Sequence, residues 1–375
     1  MIHRIRIQNF KSLRDVTVEF SPVTVLIGKS GTGKTNLASA IGFLRDYLRA
    51  GAGGGNLQQQ LLACRCATNP SGAIEFQVVF DIPGFTLPFS YTLAFHPQHN
   101  IAVPRLESLE YGGEALFRQT FAPPSNQVKW EVEPAILPLP QPGPIALGRL
   151  PGIEDAVMAY TVLTTAIGIY RFPYDVLKGQ PSGHQGTGLA DDGGNYLEAM
   201  RQITSSLNPE TRRSITASLR RINPTIAGVD LDSVQNPRRA VVAHHWDGKR
   251  LQLDLSQESD GFRRFYAHLL AVYQTPPKQT LLFEEPENGI YPGALSLLAE
   301  EFQAAPGAGR GQIILTTHSP ALLDHFLSEQ IRVVELVDLE TKVGPLAEEQ
   351  RESLADELLH AGELLTVDPA RGAAP

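Results

Sequence analysis

Cysteine is nearly absent from this chain of 375 residues: Cys64 and Cys66, with Arg65 between them, are the whole supply. That excludes a disulfide framework, and a C-x-C pair with no second pair and no nearby histidines makes a poor zinc site. A reducing cytoplasm is the expected compartment. Long apolar runs are missing as well. No stretch approaches the roughly 18 uncharged apolar residues a membrane-spanning helix needs. Met1–Ile7 alternates apolar and basic, a strand pattern unlike the apolar core of a signal peptide. There is no excess of positive charge, with 32 Lys and Arg against 40 Asp and Glu. This argues against a protein that coats nucleic acid, while a local basic face stays open. No repeat or heptad run is visible, so a long coiled coil is not expected.

What is present is enough apolar sequence, 42% of the chain, to build a core and exclude global disorder. The length suits about two domains of roughly 150 residues, or one α/β domain with an insertion. Alternation at Ile5, Ile7 and Phe10 and at Val16, Val18 and Phe20 predicts two strands. Val23–Ile27 is continuously apolar, as in a strand buried on both faces. From Lys34 onward Leu37, Ile41, Leu44 and Leu48 mark an amphipathic helix, which Gly51–Gly55 ends. Short β-rich runs over 74–80, 89–95, 106–111 and 128–132 predict an antiparallel meander, followed by a proline-rich loop over 134–151. Lys178–Gly194, rich in Gly, Ser and Asp, is expected to be mobile, and the tail after Leu365 is expected to fray. Strands over 280–283, 312–316 and 331–337, with helices at 261–273, 292–304 and 320–327, complete the second half.

Gly28-Lys29-Ser30-Gly31-Thr32-Gly33-Lys34-Thr35 matches G-x-x-x-x-G-K-[ST] in full. It stands between a buried strand and an amphipathic helix, the context the motif requires. Glycines there let backbone N–H groups converge on phosphates, and the following helix turns its positive end to the same anion. Lys34 supplies a charge to the outer phosphates and the Thr35 hydroxyl one position on Mg²⁺.

Thr280–Phe283 runs into Glu284 and Glu285. Alone, two glutamates after a strand are commonly a solvated strand end. Beside a complete phosphate loop, Glu284 is expected to hold the metal through its hydration shell and Glu285 to polarise the attacking water. Ile313–Thr317 ends at His318. A lone histidine is usually structural, yet at the carboxyl end of a third parallel strand it should face the same crevice and meet the γ-phosphate.

In this order the motifs resemble the ABC-type ATPase heads of the RecF/SMC-like superfamily, in particular stand-alone AAA-family (AAA15-type) ATPases related to OLD-type ATPase domains. The opening strand pair and Walker A, with Asn36-Leu37 following, look like theirs, as do the Walker B and D-loop in LLFEEPENGIYP and the H-loop in ILTTHSPALLD. Ser259-Asp260-Gly261, ahead of a helix, is similar to a variant of the ABC signature; as a bare tripeptide it would be only a helix cap. The resemblance implies an α/β P-loop NTPase with a mixed central sheet, flanking helices and an antiparallel β-rich insertion. It implies ATP and Mg²⁺ as cofactors, and a homodimer in which the signature reaches the partner's ATP. Two departures stand out. Glu284 replaces the usual Walker B aspartate, and no Q-loop glutamine can be assigned among Gln58, Gln59, Gln60 and Gln77. The expected organisation is a head split over 1–72 and 151–345, a β-rich lobe at 73–150 and a tail at 346–375, with no room for a toprim nuclease domain.

Two roles follow. The first is a DNA-linked ATPase in repair, chromosome maintenance or anti-phage defence, for which Arg212, Arg213, Arg220, Arg221, Arg238 and Arg239 offer a basic cluster that otherwise reads as a solvated face. The second is an ATP-switched module that controls a separate nuclease or toxin partner without touching DNA. A transporter subunit or a metabolic kinase would leave the insertion, or the signature and H-loop, unexplained.

Overall fold

The computed structural model describes residues 1–51, 55–97, 102–122, 127–134, 147–150, 153–178, 188–205, 209–232 and 239–373. β1 (Ile2–Phe10) runs antiparallel to β2 (Leu13–Glu19), with Ile5 opposite Val18. Ile5, Ile7, Val16 and Val18 all point inward, as a period of two demands of a strand with one buried face. β3 (Val23–Ile27) is buried at every position. It feeds the glycine-rich turn and then α1 (Lys34–Ala50), whose buried stripe includes Leu37, Ile41, Leu44 and Leu48. A second helix, α2 (Gly55–Ala63), begins where only a glycine-rich connection was expected; 52–54 lie outside the described residues.

β4 (Ile74–Phe80), β5 (Phe89–Pro97), β6 (Ala102–Tyr111), β7 (Glu114–Ala122) and β8 (Gln127–Val132) follow as an antiparallel meander. They join the first strand pair in one seven-stranded sheet, ordered β2-β1-β4-β5-β6-β7-β8. α1 packs on this sheet through aromatic rings. Phe43 stacks on Phe76, and Tyr47 meets Phe95 edge-on at 4.9 Å between centroids, geometry that adds to the burial of apolar area. Of the expected proline-rich loop, 135–146 and 151–152 lie outside the described residues.

The second half supplies α3 (Glu154–Thr164), β9 (Ile167–Tyr170), α4 (Tyr196–Ser205), α5 (Pro209–Ile222) and a three-stranded sheet of β10 (Ile226–Asp232), β11 (Arg239–Trp246) and β12 (Lys249–Asp254). Then come α6 (Asp260–Tyr273), β13 (Thr280–Glu284), α7 (Leu295–Gly307), β14 (Gln312–Thr316), α8 (Pro320–Leu323), β15 (Ile331–Val337), β16 (Glu340–Pro345) and α9 (Glu348–Ala355). The six-stranded sheet is ordered β16-β15-β3-β14-β13-β9. All its strands are parallel except β16, which pairs antiparallel with β15. The carboxyl ends of β3, β14, β13 and β9 therefore open on one side, where an open α/β sheet forms its crevice.

Two expectations about order need correction. The tail is pinned: Leu346 bridges Gly372, Ala347 N–H donates to the Arg371 carbonyl at 2.8 Å, and Arg371 N–H donates to Oε1 of buried Gln350 at 2.9 Å. Of the stretch expected to be mobile, 179–187 lie outside the described residues. From Gly188 on it is tied down by buried Asn195, which donates to the Gly188 carbonyl at 2.8 Å and accepts from Ala190 N–H at 2.6 Å. Among the described residues no helix is long and apolar enough to cross a membrane.

Candidate functional site

The turn between β3 and α1 wraps around its own lysine. Lys34 is buried, and its Nζ donates to the carbonyls of Gly28 at 2.7 Å and Lys29 at 2.9 Å. Burial lowers its pKa and the nearby charge of Glu285 opposes that shift. The Thr32 hydroxyl closes the turn by donating to the Lys29 carbonyl at 2.9 Å. The backbone N–H groups of Gly31, Gly33, Lys34 and Thr35 meet no acceptor among the described residues. A helix start with unpaired donors favours an anion. Sequence reasoning assigned the glycines to room for phosphate, and the structure adds another cause. A Cβ on Gly28 (φ 151°) would stand 2.1 Å from the Val334 carbonyl oxygen, and one on Gly33 (φ 112°) 2.1 Å from Thr341 Oγ1. The β15–β16 hairpin fits against the loop too closely for a side chain at either place.

β13 lies parallel to β14 and β9, so Glu284 stands level with Thr316. Thr35 and Glu284 line the same small cavity; burial raises the Glu284 carboxyl's pKa, opposed first by the charge of Arg171. Glu285 takes the left-handed backbone, φ 46°, which costs a side chain on the order of 1 kcal/mol and persists only where neighbours enforce it. Here its N–H donates to Thr316, both to the carbonyl and to Oγ1 at 3.1 Å. Asn288 Nδ2 donates to Glu285 Oε2 at 2.8 Å, and His318 Nε2 lies 3.9 Å from Oε1. Glu287 Oε1 accepts from the Thr317 hydroxyl and from His318 N–H, each at 2.8 Å. It thereby ties the loop after β13 to the loop after β14.

Ser30, Gly31, Gly33, Lys34, Thr35 and Asn36 face Glu285, Thr316 and His318 across a cavity of about 190 Å³. A second cavity, about 120 Å³, shares Thr35 and Glu285 and adds Glu284, Arg171, Arg264, His268 and Asn288. Gly28, Lys29 and Thr32 form the base of the loop. Asn36 turns its amide toward Ser12 Oγ, 2.8 Å away. Ser259 and Gly261 line neither cavity. Ser259 caps α6, its Oγ accepting from Phe262 N–H at 3.2 Å, and Gly261 packs under the Gly289 carbonyl, which a Cβ would approach to 3.0 Å. Among the described residues no three His, Cys, Asp or Glu side chains gather to hold a metal. An ion at Thr35 and Glu284 would complete its shell with phosphate oxygens and water, as Mg²⁺ does.

None of the four candidate glutamines lines either cavity: Gln58 donates to the Tyr47 hydroxyl at 2.9 Å, Gln77 reaches Ser90, and Gln59 and Gln60 lie exposed on α2. At the exit of β9, beside Glu284, stands Arg171 instead. Sequence reasoning missed Arg171, Arg264, Glu287, Asn288 and Thr341. Only Glu287 and Asn288 left a signal, by their place in the stretch after β13. Three of the cluster's six arginines are paired with carboxylates, while exposed Arg213 has no ion pair among the described residues. Arg212 pairs with Asp230, Arg221 with Glu300 and Arg239 with Asp232, while Arg220 Nε donates to the Ile226 carbonyl; Arg238 lies outside the described residues. A larger cavity, about 660 Å³, lies between α3 and β9. Its cations Arg49 and Lys278 donate to the carbonyls of Thr164 and Thr165 and so cap the end of α3.

Two family models match parts of the chain: an AAA ATPase domain over residues 1–83, and an AAA domain described as putative AbiEii toxin, type IV toxin–antitoxin system, over 202–324. The Old nuclease of Escherichia phage P2 is 23% identical over 359 residues, covering 85% of this chain; the chain spans only 56% of that protein's length. A solved SMC head bound to the C-terminal winged-helix domain of ScpA superposes with a TM-score of 0.55 at 14% identity, covering 94% of this chain and 99% of the other. An SMC head with an extended coiled coil, bound to the C-terminal domain of ScpA from Pyrococcus furiosus, gives 0.54 at 13% identity, covering 95% and 99%.

Proposed function

We propose that this chain, an SMC/RecF-like ATPase head related to OLD-type proteins, binds ATP with Mg²⁺, hydrolyses it, and closes on a second copy of itself to do so. The observation that supports this best is the pair of adjoining cavities in which Lys34, Thr35, Glu284, Glu285 and His318 converge from three loops. The unpaired loop N–H groups and Lys34 hold the triphosphate, and Thr35 with Glu284 holds the metal. When bound, Mg²⁺ would neutralise charge on the outer phosphates. Glu285, steadied by Asn288 and by Thr316, accepts the proton of the attacking water, and His318 donates toward the terminal phosphate. Ser259, exposed at the start of α6, and half-buried Gly261, both outside their own chain's cavities, complete the site of the partner copy.

The setting is DNA repair, chromosome maintenance or defence against phage, a reading that the Old nuclease relationship supports. A second reading has an observation of its own. Arg212, Arg221 and Arg239 are paired with carboxylates of the same chain, which favours an ATP-switched module acting on a separate nuclease or effector protein. Steady-state phosphate release, with light scattering to follow dimer formation, tests the common core: Lys34→Ala should abolish nucleotide binding and ATP-dependent association. Hydrolysis by Lys34→Ala at the wild-type rate would refute it. Stimulation by duplex DNA that fades with salt supports the first setting, and indifference to DNA supports the second.

A further inference from the structure

The second cavity holds more positive charge than any motif explains. In the parallel register of β9 and β13, Tyr170 pairs with Phe283, so the next residues, Arg171 and Glu284, leave their strands side by side. The Arg171 side chain is exposed and makes no hydrogen bond among the described residues. Its backbone is fixed on both sides. Arg171 N–H donates to the Asp191 carbonyl at 3.2 Å, and the Asp191 carboxylate is gripped by both terminal nitrogens of buried Arg45. On the other side, Arg264 Nη1 donates to the Phe172 carbonyl at 3.2 Å.

Arg264 is 9% exposed, and its Nε is buried with no partner among the described residues. A buried guanidinium N–H left unpaired is costly, so Arg264 in this cavity suits a polar occupant. It stands on α6, three residues after Gly261, and its Nε would lie 2.9 Å from a Cβ on Gly289 in the loop after Glu285. Glu284 and Glu285 face the same small space. The end of a triphosphate arriving there meets two carboxylates, while Lys34 spends two of its N–H bonds on loop carbonyls. Cations on the acidic side offset that repulsion.

We propose that Arg171 is a further catalytic residue, meeting the terminal phosphoryl group from within the same chain, and that Arg264 is the positioning residue that holds it there. This rests on the ATPase reading above. During hydrolysis the water oxygen bonds to the terminal phosphorus as the bond to the ADP oxygen breaks, and Glu285 takes the proton. Arg171 forms no covalent bond and stabilises the charge that spreads over the phosphoryl oxygens. A planar guanidinium meets two such oxygens at once, which an ammonium does not.

The test compares wild type with Arg171→Ala and Arg171→Lys, reading Mg²⁺-dependent binding of ATPγS and of ADP by fluorescent-nucleotide competition beside the steady-state rate. Arg171→Ala should weaken ATPγS about 10-fold and ADP by less than about 2-fold, and lower kcat about 100-fold. Arg171→Lys should recover only part of the loss. Equal weakening of both nucleotides, or a wild-type kcat, would overturn the assignment. Wild-type protein that bound no nucleotide would instead sink the ATPase reading itself. For Arg264, Arg264→Lys at a wild-type thermal midpoint should lower kcat about 10-fold while leaving ADP affinity unchanged; an unchanged kcat removes Arg264 from its positioning role.

Discussion

The hydroxyl of Thr341 donates to the carbonyl of Thr32 at 2.8 Å, so a strand from the end of the chain holds the phosphate loop from beneath. Ser12 Oγ lies 2.6 Å from the same hydroxyl, and Asn36 Nδ2 donates to Ser12 at 2.8 Å. Four residues from three distant segments thus form one chain of hydrogen bonds under the loop. Thr341 is fully buried, so Thr341→Val leaves the Thr32 carbonyl without this donor at a cost of about 1–2 kcal/mol. The expected result is a lower thermal midpoint with weaker binding of both ATP and ADP, since the whole loop loosens. Thr341→Ser should restore most of both. Nucleotide affinity unchanged in Thr341→Val would show that the loop does not depend on this brace.

That brace also shows where sequence reading stopped. Lys34, Thr35 and Glu284 were legible because their chemistry is written in contiguous residues whose strand–loop–helix setting shows in the apolar pattern. Thr341 was not, because β16 has no apolar alternation: Glu340, Thr341 and Lys342 look like a polar turn, and the strand exists because it pairs with β15. β7 escaped for a similar reason, since its register with β6 shifts between Leu109 and Glu110 and blurs the period of two. Arg171 reaches Glu284 from the neighbouring strand and Arg264 shares their cavity from α6, and no local spacing announces a meeting made by strand order and helix packing. The seven-stranded sheet was half legible: its meander showed, whereas the pairing of β4 with β1, Ile5 opposite Val78, depends on long-range closure.

Glu285→Gln keeps the shape and the Thr316 contacts of the backbone but cannot take a proton. It is expected to bind ATP as the wild type does, hydrolyse it at least about 100-fold more slowly, and accumulate as a nucleotide-dependent dimer in light scattering. Turnover at the normal rate would remove Glu285 from the role of base.

Glu287 is expected to act one step away from the chemistry. Its Oε1 holds the Thr317 hydroxyl and His318 N–H, while Oε2 is buried without a partner among the described residues. Glu287→Gln retains an oxygen for both donors, so kcat should stay close to wild type. Glu287→Ala orphans them and should cost about 2 kcal/mol of stability and roughly 10-fold in kcat with little change in KM. An alanine variant with wild-type kcat would mean that His318 is held in place by other contacts.

His268 sits in the core of α6 among the rings of Phe172, Phe283 and Phe302. Its Nδ1 lies 2.7 Å from the Arg264 carbonyl and so carries the proton of the neutral ring. Burial pushes its pKa down to about 4 from an ordinary value of 6.5, and the neighbouring Arg264 charge adds a smaller push the same way. Above about pH 6.5 neither state is charged and His268 has no effect on stability. As pH falls from there toward about 4, the unfolded chain takes a proton that the folded chain refuses, so stability drops with a ceiling of about 3 kcal/mol. Urea midpoints measured from about pH 7 to about pH 4.5 should therefore fall more steeply for wild type than for His268→Phe, which cannot titrate. Parallel slopes would mean that the folded protein admits the proton, and that water or a carboxylate reaches the ring from the cavity it shares with Glu284.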